Sequence, residues 1–369
     1  MSHAKKYLAL FIALLVPFAF VSSAQATGES VAATTTLTPN GGKFYKEAQV
    51  SSKLKIDGVV TPAPGAVTMN SLKNLKISFP AGMGFKPNSN ICPDSKLNEN
   101  SNLAVGPMAI KNLCPKAVVG TGTAVIYLAR VVNNPATKLT DPVLVAFNAG
   151  KNNQGQPMLK IYGYSKATGV GILMEAALKN QVLDIAVPVL TSDSAVGELH
   201  LDFPGSVTIP DQGTIKGQDP NYVQAKCGTG SLVTNATFVL GQRDYATKQP
   251  IPGTEETIVA PTTNQSCTGL AGKAKLGGLK VKGPGAVKNG RKGTYKVTVK
   301  NTGTATAKNV VVTSSRGGKG KGGNIAPGKS KTIAVKTTIR GKKGRKVAVK
   351  FTAKSGNVKA AVTKKVRVK

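Results

Sequence analysis

After Thr294 four segments of the chain alternate with a period of two. "TYKVTVKNTG" (294–303) puts Tyr295, Val297 and Val299 on one face and Lys296, Thr298 and Lys300 on the other. "TIAVKTTIR" (332–340) repeats the pattern with Ile333, Val335, Thr337 and Ile339. "KVAVKFTAK" (346–354) sets Val347, Val349 and Phe351 against Lys346, Ala348 and Lys350, and "KKVRVK" sets Val366 and Val368 against Lys365, Arg367 and Lys369. Period two with one apolar face means half-buried strands, because an α-helix would scatter those residues around its circumference. Six or seven such strands in about 95 residues is the size of an immunoglobulin-like sandwich.

The polar face of this segment is almost purely cationic. Residues 271–369 hold 28 Lys/Arg and no Asp or Glu, which accounts for most of the net charge of +34. Between Thr27 and Leu270, 20 basic residues meet 16 acidic ones. A surface this positive attracts polyanions: anionic cell-wall polymers, acidic polysaccharide, anionic lipid or extracellular nucleic acid, held without sequence preference. The residues expected to make contact are Lys296, Lys300, Lys342, Lys343, Arg345, Lys346, Lys350, Lys365, Arg367 and Lys369. The competing reading is that outward lysines keep the unit soluble and stop strand edges from pairing. Self-repulsion among 28 like charges makes solubility a thin explanation by itself. Sequence-specific nucleic-acid recognition is rejected, since the segment has 23 Lys and only 5 Arg and Arg is the bidentate base reader. Its two aromatics, Tyr295 and Phe351, fall at core positions and leave no stacking platform.

The N-terminus reads as a secretory signal peptide over residues 1–26. Lys5 and Lys6 precede the apolar run Leu8–Val21, and Ala24-Gln25-Ala26 offers a cleavage site. Fourteen apolar residues are too few to span a bilayer, and no later run reaches about 18. The expected product is secreted or associated with the cell wall. Four cysteines remain, and an even number in an exported chain argues for two disulfides. Three connectivities are open; the local one, Cys92–Cys114 with Cys227–Cys267, is preferred because neighbours close first. No C-x-x-C pair with histidines exists, so neither metal nor cofactor is expected.

Between these ends lies a β-rich body, residues 27–268. Its candidate strands are Leu72–Pro80, Ala117–Ala129, Asp141–Phe147, Met158–Tyr164, Val182–Leu190, Gly197–Phe203 and Asn235–Gly241, rich in β-branched and aromatic residues between turn formers. "GILMEAALKNQ" (171–181) contains good helix formers, but reads as a strand entering a turn at Lys179-Asn180-Gln181. Residues 269–278 are expected to be a flexible linker before the lysine-rich unit, 279–369. The predicted class is all-β: a disulfide-stapled sandwich-like body followed by a small immunoglobulin-like sandwich.

Two motifs promise chemistry. "GNIAPGKS" (323–330) matches G-x-x-x-x-G-K-[ST], the phosphate-binding loop. That loop needs a helix after its Lys-Ser/Thr, whereas "KTIAVKTTIR" alternates as a strand, and no acidic residue follows Glu256 to hold Mg²⁺. It therefore reads as an inter-strand turn at Pro327-Gly328. "GELHLDF" (197–203) puts Glu198, His200 and Asp202 on one face of a strand, where they can bind a metal or act as acid and base. The solvent face of an amphipathic strand gives the same alternation and is the preferred reading. His200 is the only histidine after the signal peptide, and no G-x-S-x-G elbow accompanies it. Asp193, Asp211 and Asp219 lie nearby, at a spacing that fits no EF-hand loop.

"YKVTVKNTGTATAKNVVVTSS" followed by "IAPGKSKTIAVK" resembles the CARDB-type and related bacterial surface-repeat domains. Asn301, Gly303, Ala307, Asn309, Val310, Pro327, Gly328, Ser330 and Thr332 carry the match, which covers about 95 residues. The resemblance implies an immunoglobulin-like fold and a spacer, adhesion or stalk role on secreted proteins. "ISFPAGMGFKPNSNICP" and "CPKAVVGTGTA" resemble segments of uncharacterised secreted bacterial β-proteins, which supplies no function. The leading expectation is a non-enzymatic envelope or extracellular-matrix protein. The alternative is an extracellular hydrolase or carbohydrate-binding module, with Glu198, His200 and Asp202 in a pocket and the basic unit as wall anchor.

Overall fold

A computed structural model describes residues 28–188, 194–244, 246–247 and 249–369. The expected signal peptide and Asp193 lie outside the described residues. The fold is all-β.

The body is dominated by one long antiparallel sheet that folds over on itself. From one end its strands run Glu256–Val259, Ser231–Gly241, Ser71–Ser78, Val182–Ala186, Val170–Lys179, Pro157–Ser165, Val143–Lys151, Val118–Tyr127, Ala195–Phe203 and Val50–Thr61, and Ser30–Pro39 pairs with the last. The two ends meet. Thr35 and Thr234 share a hydroxyl hydrogen bond of 2.6 Å, and Gln265 brackets Leu37. The Leu37 N–H donates to Gln265 Oε1 at 2.8 Å, and Gln265 Nε2 donates to the Leu37 carbonyl at 2.8 Å. One side-chain amide thus copies a strand ladder where the backbone ladder ends. Inside, Leu54, Ile56, Leu75, Ile77, Leu183, Phe203 and Phe238 form a continuous core.

A second core covers the outer side of the strands 143–151 and 157–165. Phe147 and Tyr162 pack there with Ile110 of the α-helix Pro107–Leu113, the single one among the described residues, and with Cys92 and Cys114. Lys160 is buried in this layer and its ammonium is spent on Asp94 Oδ1 and the Leu97 carbonyl, both at 2.5 Å. The disulfides are Cys92–Cys114 and Cys227–Cys267, the local pairing. The strand Val170–Lys179 ends in a turn where Asn180 and Gln181 adopt positive φ of 51° and 65°. The helix formers of "GILMEAALK" yield to their neighbours, which pair with this strand on both sides.

Residues 276–368 form two sheets around a separate core. Leu276–Lys282, Lys292–Asn301 and Ser330–Thr338 make a three-stranded sheet. Ala286–Val287, Val358–Val368, Lys346–Ser355, Ala307–Ser314 and Lys319–Ile325 make a five-stranded one. Tyr295, Val297, Val299, Val335, Val349, Phe351, Val366 and Val368 are all fully buried between the sheets, as the alternation requires. The rings of Tyr295 and Phe351 lie 5.2 Å apart, one from each sheet, so neither offers a face to a base.

The stretch 269–278 differs from the expected linker. Gly269–Leu270 pairs in parallel with Phe44–Tyr45, and Leu276 is already buried in the second core. The residues between are tied down as well. Thr304 N donates to the Lys273 carbonyl at 2.9 Å, and Thr302 N donates to the Lys275 carbonyl at 2.7 Å. Glycine content signals freedom only when the backbone lacks partners, and here it has them.

Candidate functional site

"GNIAPGKS" is a turn between two strands. The strand Lys319–Ile325 ends, Gly328 takes a φ of 71°, and the strand Ser330–Thr338 begins at once. The turn hangs on Asn301. The Asn301 backbone accepts from Gly328 N at 2.8 Å and donates to the Lys329 carbonyl at 3.0 Å. Its buried side chain donates to the carbonyls of Ala305 and Ile325, both at 2.8 Å, and accepts from Gly303 N at 3.0 Å and Lys275 N at 3.3 Å. Asn301, Gly303 and Pro327-Gly328 in the motif therefore belong to one hydrogen-bonded junction.

Glu198, His200 and Asp202 do share a face of the strand Ala195–Phe203, beyond a bulge between Val196 and Glu198. What the alternation does not show is their partner, Asp57. It lies directly across from His200 on the strand Val50–Thr61. His200 Nδ1 sits 2.7 Å from Asp57 Oδ1, and Nε2 sits 3.2 Å from Glu198 Oε2. Both ring nitrogens can donate only as the imidazolium. The hydrogen bond to Asp57 is the chief cause that raises the His200 pKa. Asp202 is across from Lys55, which also approaches Asp57 to 3.3 Å. Burial pushes the Asp202 carboxyl upward, with Lys55 opposing. The result is a row of complementary cross-strand charges. Both ring nitrogens face carboxylates, which leaves none to activate a nucleophile. No group of three or more metal-ligating residues suited to an ion occurs among the described residues. Asp219 accepts from Asn221 N at 2.8 Å in its own loop and from Asn88 Nδ2 at 2.7 Å across from a second loop. None of the three cavities described is lined by Glu198, His200 or Asp202.

The predicted basic residues are all exposed, and the sandwich distributes them over both outer faces. Lys296 and Lys300 lie on the three-stranded sheet, joined there by Lys280, Lys282 and Lys336. Lys346, Lys350, Lys365 and Arg367 lie on the five-stranded sheet. Lys342, Lys343 and Arg345 occupy the connection before Lys346, and Lys369 ends the chain. The alternation rule applied to 319–325 and 354–359 also finds Lys319, Lys321, Lys354 and Lys359, which complete the row on the five-stranded face.

The register of that row is its main physical feature. Lys346 pairs with Arg367, and Lys354 pairs with Lys359. On the other sheet Lys282 pairs with Lys296. Like charges directly opposite are destabilising. No carboxylate side chain within 271–369 offsets them. The body supplies one contact at this junction: Thr306 N donates to Glu47 at 2.7 Å, and its hydroxyl donates to the same carboxylate. These bonds hold the Glu47 pKa below its ordinary value.

No family model matches the chain, and no curated protein matches it. Among solved structures it is similar to the T6 backbone pilin of serotype M6 Streptococcus pyogenes, at 7% identity and a TM-score of 0.23, over 91% of this chain and 51% of that one. It is also similar to the S-layer protein rSbsC(31-844), at 15% identity and a TM-score of 0.19, over 92% and 50%. The chain thus spans about half the length of each. At these scores neither likeness carries an argument about fold or function.

Proposed function

We propose that this is a non-enzymatic protein of the cell envelope or extracellular matrix, whose C-terminal sandwich adheres to anionic polymers. The observation that carries the reading is the placement of Lys346 opposite Arg367, Lys354 opposite Lys359 and Lys282 opposite Lys296. Each pair costs stability in the free protein, and a phosphate or carboxylate lying between its members removes that cost. Solubility requires surface charge, and charges of mixed sign provide it without this penalty. Teichoic-type wall polymer, acidic polysaccharide and extracellular nucleic acid all present closely spaced anions, and an array of lysines engages them through charge density without reading sequence. The two disulfides fit an oxidising location outside the cytoplasm. The CARDB-type motif joins the same reading, as a spacer or adhesion unit behind a folded body. Binding of the mature chain to wall polymer or polyphosphate over a salt series tests it: affinity falls steeply as salt rises. Absence of binding at low salt refutes it.

A further inference from the structure

The folded-over sheet of the body encloses an apolar slot. Its inner wall takes one buried side chain from each of six successive strands: Ile185, Met174, Ile161, Leu144, Ala124 and Leu201. Toward the mouth the lining becomes half-buried Leu139, Val187 and Val196, with exposed Thr168 at the rim. No charged side chain lines it. The space is about 900 Å³ counted out into the open mouth. From Val170 at the mouth to Met174 inside is four strand residues, roughly 13 Å. Ordered water needs two to four polar partners, and the buried Ser165 hydroxyl is already bonded to Asp141. A linear hydrocarbon chain matches this uncharged, apolar lining along the strand direction.

The rim supplies a second observation. An open depression shares Leu139 with the slot and is lined by Lys138, Lys166 and Asp141. Asp141 is committed to the connection after the strand Pro157–Ser165, accepting from Ser165 Oγ at 3.0 Å and from Ala167 N at 2.9 Å. Neither lysine forms an ion pair within 4.0 Å among the described residues. Two cations therefore stand beside the mouth of an uncharged channel, with the hydrogen-bonded Asp141 carboxylate in the same depression.

We propose that the body binds one free fatty acid, methyl end inward against Met174 and Ile161, with its carboxylate at Lys138 and Lys166. This site is separate from the cationic sandwich and does not depend on the polyanion reading.

The test uses the folded mature chain and sodium dodecanoate carrying a ¹³C-labelled methyl group. One saturable site is expected, with nuclear Overhauser contacts from the labelled methyl to the Met174 methyl. Val196→Trp narrows the half-buried mouth without entering the closed core, and is expected to weaken binding by at least about tenfold. Lys138→Glu with Lys166→Glu is expected to weaken dodecanoate by about tenfold and leave dodecanol unchanged. No saturable site up to about 1 mM overturns the proposal. So does dodecanoate binding that Val196→Trp leaves intact, because that places the anion on the C-terminal lysines. Dodecylammonium binding as tightly as dodecanoate overturns the head-group assignment. A lysophospholipid of equal chain length binding more tightly than the free acid overturns the choice of ligand.

Discussion

Replacing Lys346 and Lys354 together by Glu turns two repulsive cross-strand pairs into attractive ones, with Arg367 and Lys359. All four side chains are exposed, so burial does not change. A cross-strand charge pair is worth roughly 0.2–1 kcal/mol in either direction. Solvent screening keeps exposed pairs near the low end, so reversing two of them stabilises the sandwich by about 1 kcal/mol. For a unit of about 95 residues that is a Tm rise of roughly 4–8 °C. The same double substitution removes two cations from the face proposed to bind anions and adds two anions. The salt slope of polyanion binding is then expected to shrink by about two, with weaker affinity at every salt concentration. Calorimetry of the mature chain at about 0.01 M and about 1 M salt, where the Debye length is roughly 30 Å and 3 Å, separates the contributions. The stabilisation should be plain at low salt and largely gone at high salt. A variant whose Tm is unchanged or lower at low salt, or whose salt slope matches the parent, refutes the argument that these charges are opposed in order to hold an external anion.

Asn301→Ala deletes four hydrogen bonds at the junction of the second unit; at about 0.5–1.5 kcal/mol each, denaturant unfolding should show a loss of about 2–6 kcal/mol. A loss under about 1 kcal/mol means the turn does not hang on Asn301. His200 should titrate by NMR with a midpoint above 6.5, and Asp57→Asn should lower it. Because the folded pKa is raised, the stability that His200 contributes is complete below the unfolded value and is lost as pH rises through the folded one; a parent midpoint at or below 6.5 contradicts the imidazolium assignment. Replacing Cys227 and Cys267 by Ser opens a 40-residue loop and should cost about 3–4 kcal/mol, read as a lowered denaturation midpoint in the full chain.

The strands that carried a two-residue apolar period were legible because that period is a local property. The core positions Tyr295, Val297, Val299, Val335, Val349 and Phe351 follow from it directly. Disulfide pairing was legible because chain proximity favoured the bridges that form. The strand Ser30–Pro39 was not legible. Its "TTT" run is weakly amphipathic, and only Val31, Ala33 and Leu37 mark the buried side. Closure of the body through Gln265 and Leu37 was also hidden, since it joins residues 228 positions apart through a side chain with no periodic signal. The bonded stretch 271–275 failed as a linker for a related reason. Its partners, Thr302 and Thr304, lie on a turn nearly thirty residues away.

Electrostatic function depended on the same missing knowledge. Counting residues shows that 271–369 is basic, but not which charge faces which; register settles that, and a slip of one residue would turn each side chain to the other face. The body shows what the alternative looks like. On Val50–Thr61 and Ala195–Phe203, two adjacent antiparallel strands set His200 against Asp57 and Asp202 against Lys55, so that each charge meets its complement. The C-terminal sandwich uses the same antiparallel geometry on exposed faces, and at Lys346–Arg367, Lys354–Lys359 and Lys282–Lys296 sets cation against cation. Strand chemistry tolerates both arrangements, but only the first is neutral without help. On the proposed reading an array of the second kind is at its most stable with anions bound, so that affinity for them and the deficit without them would share one electrostatic origin.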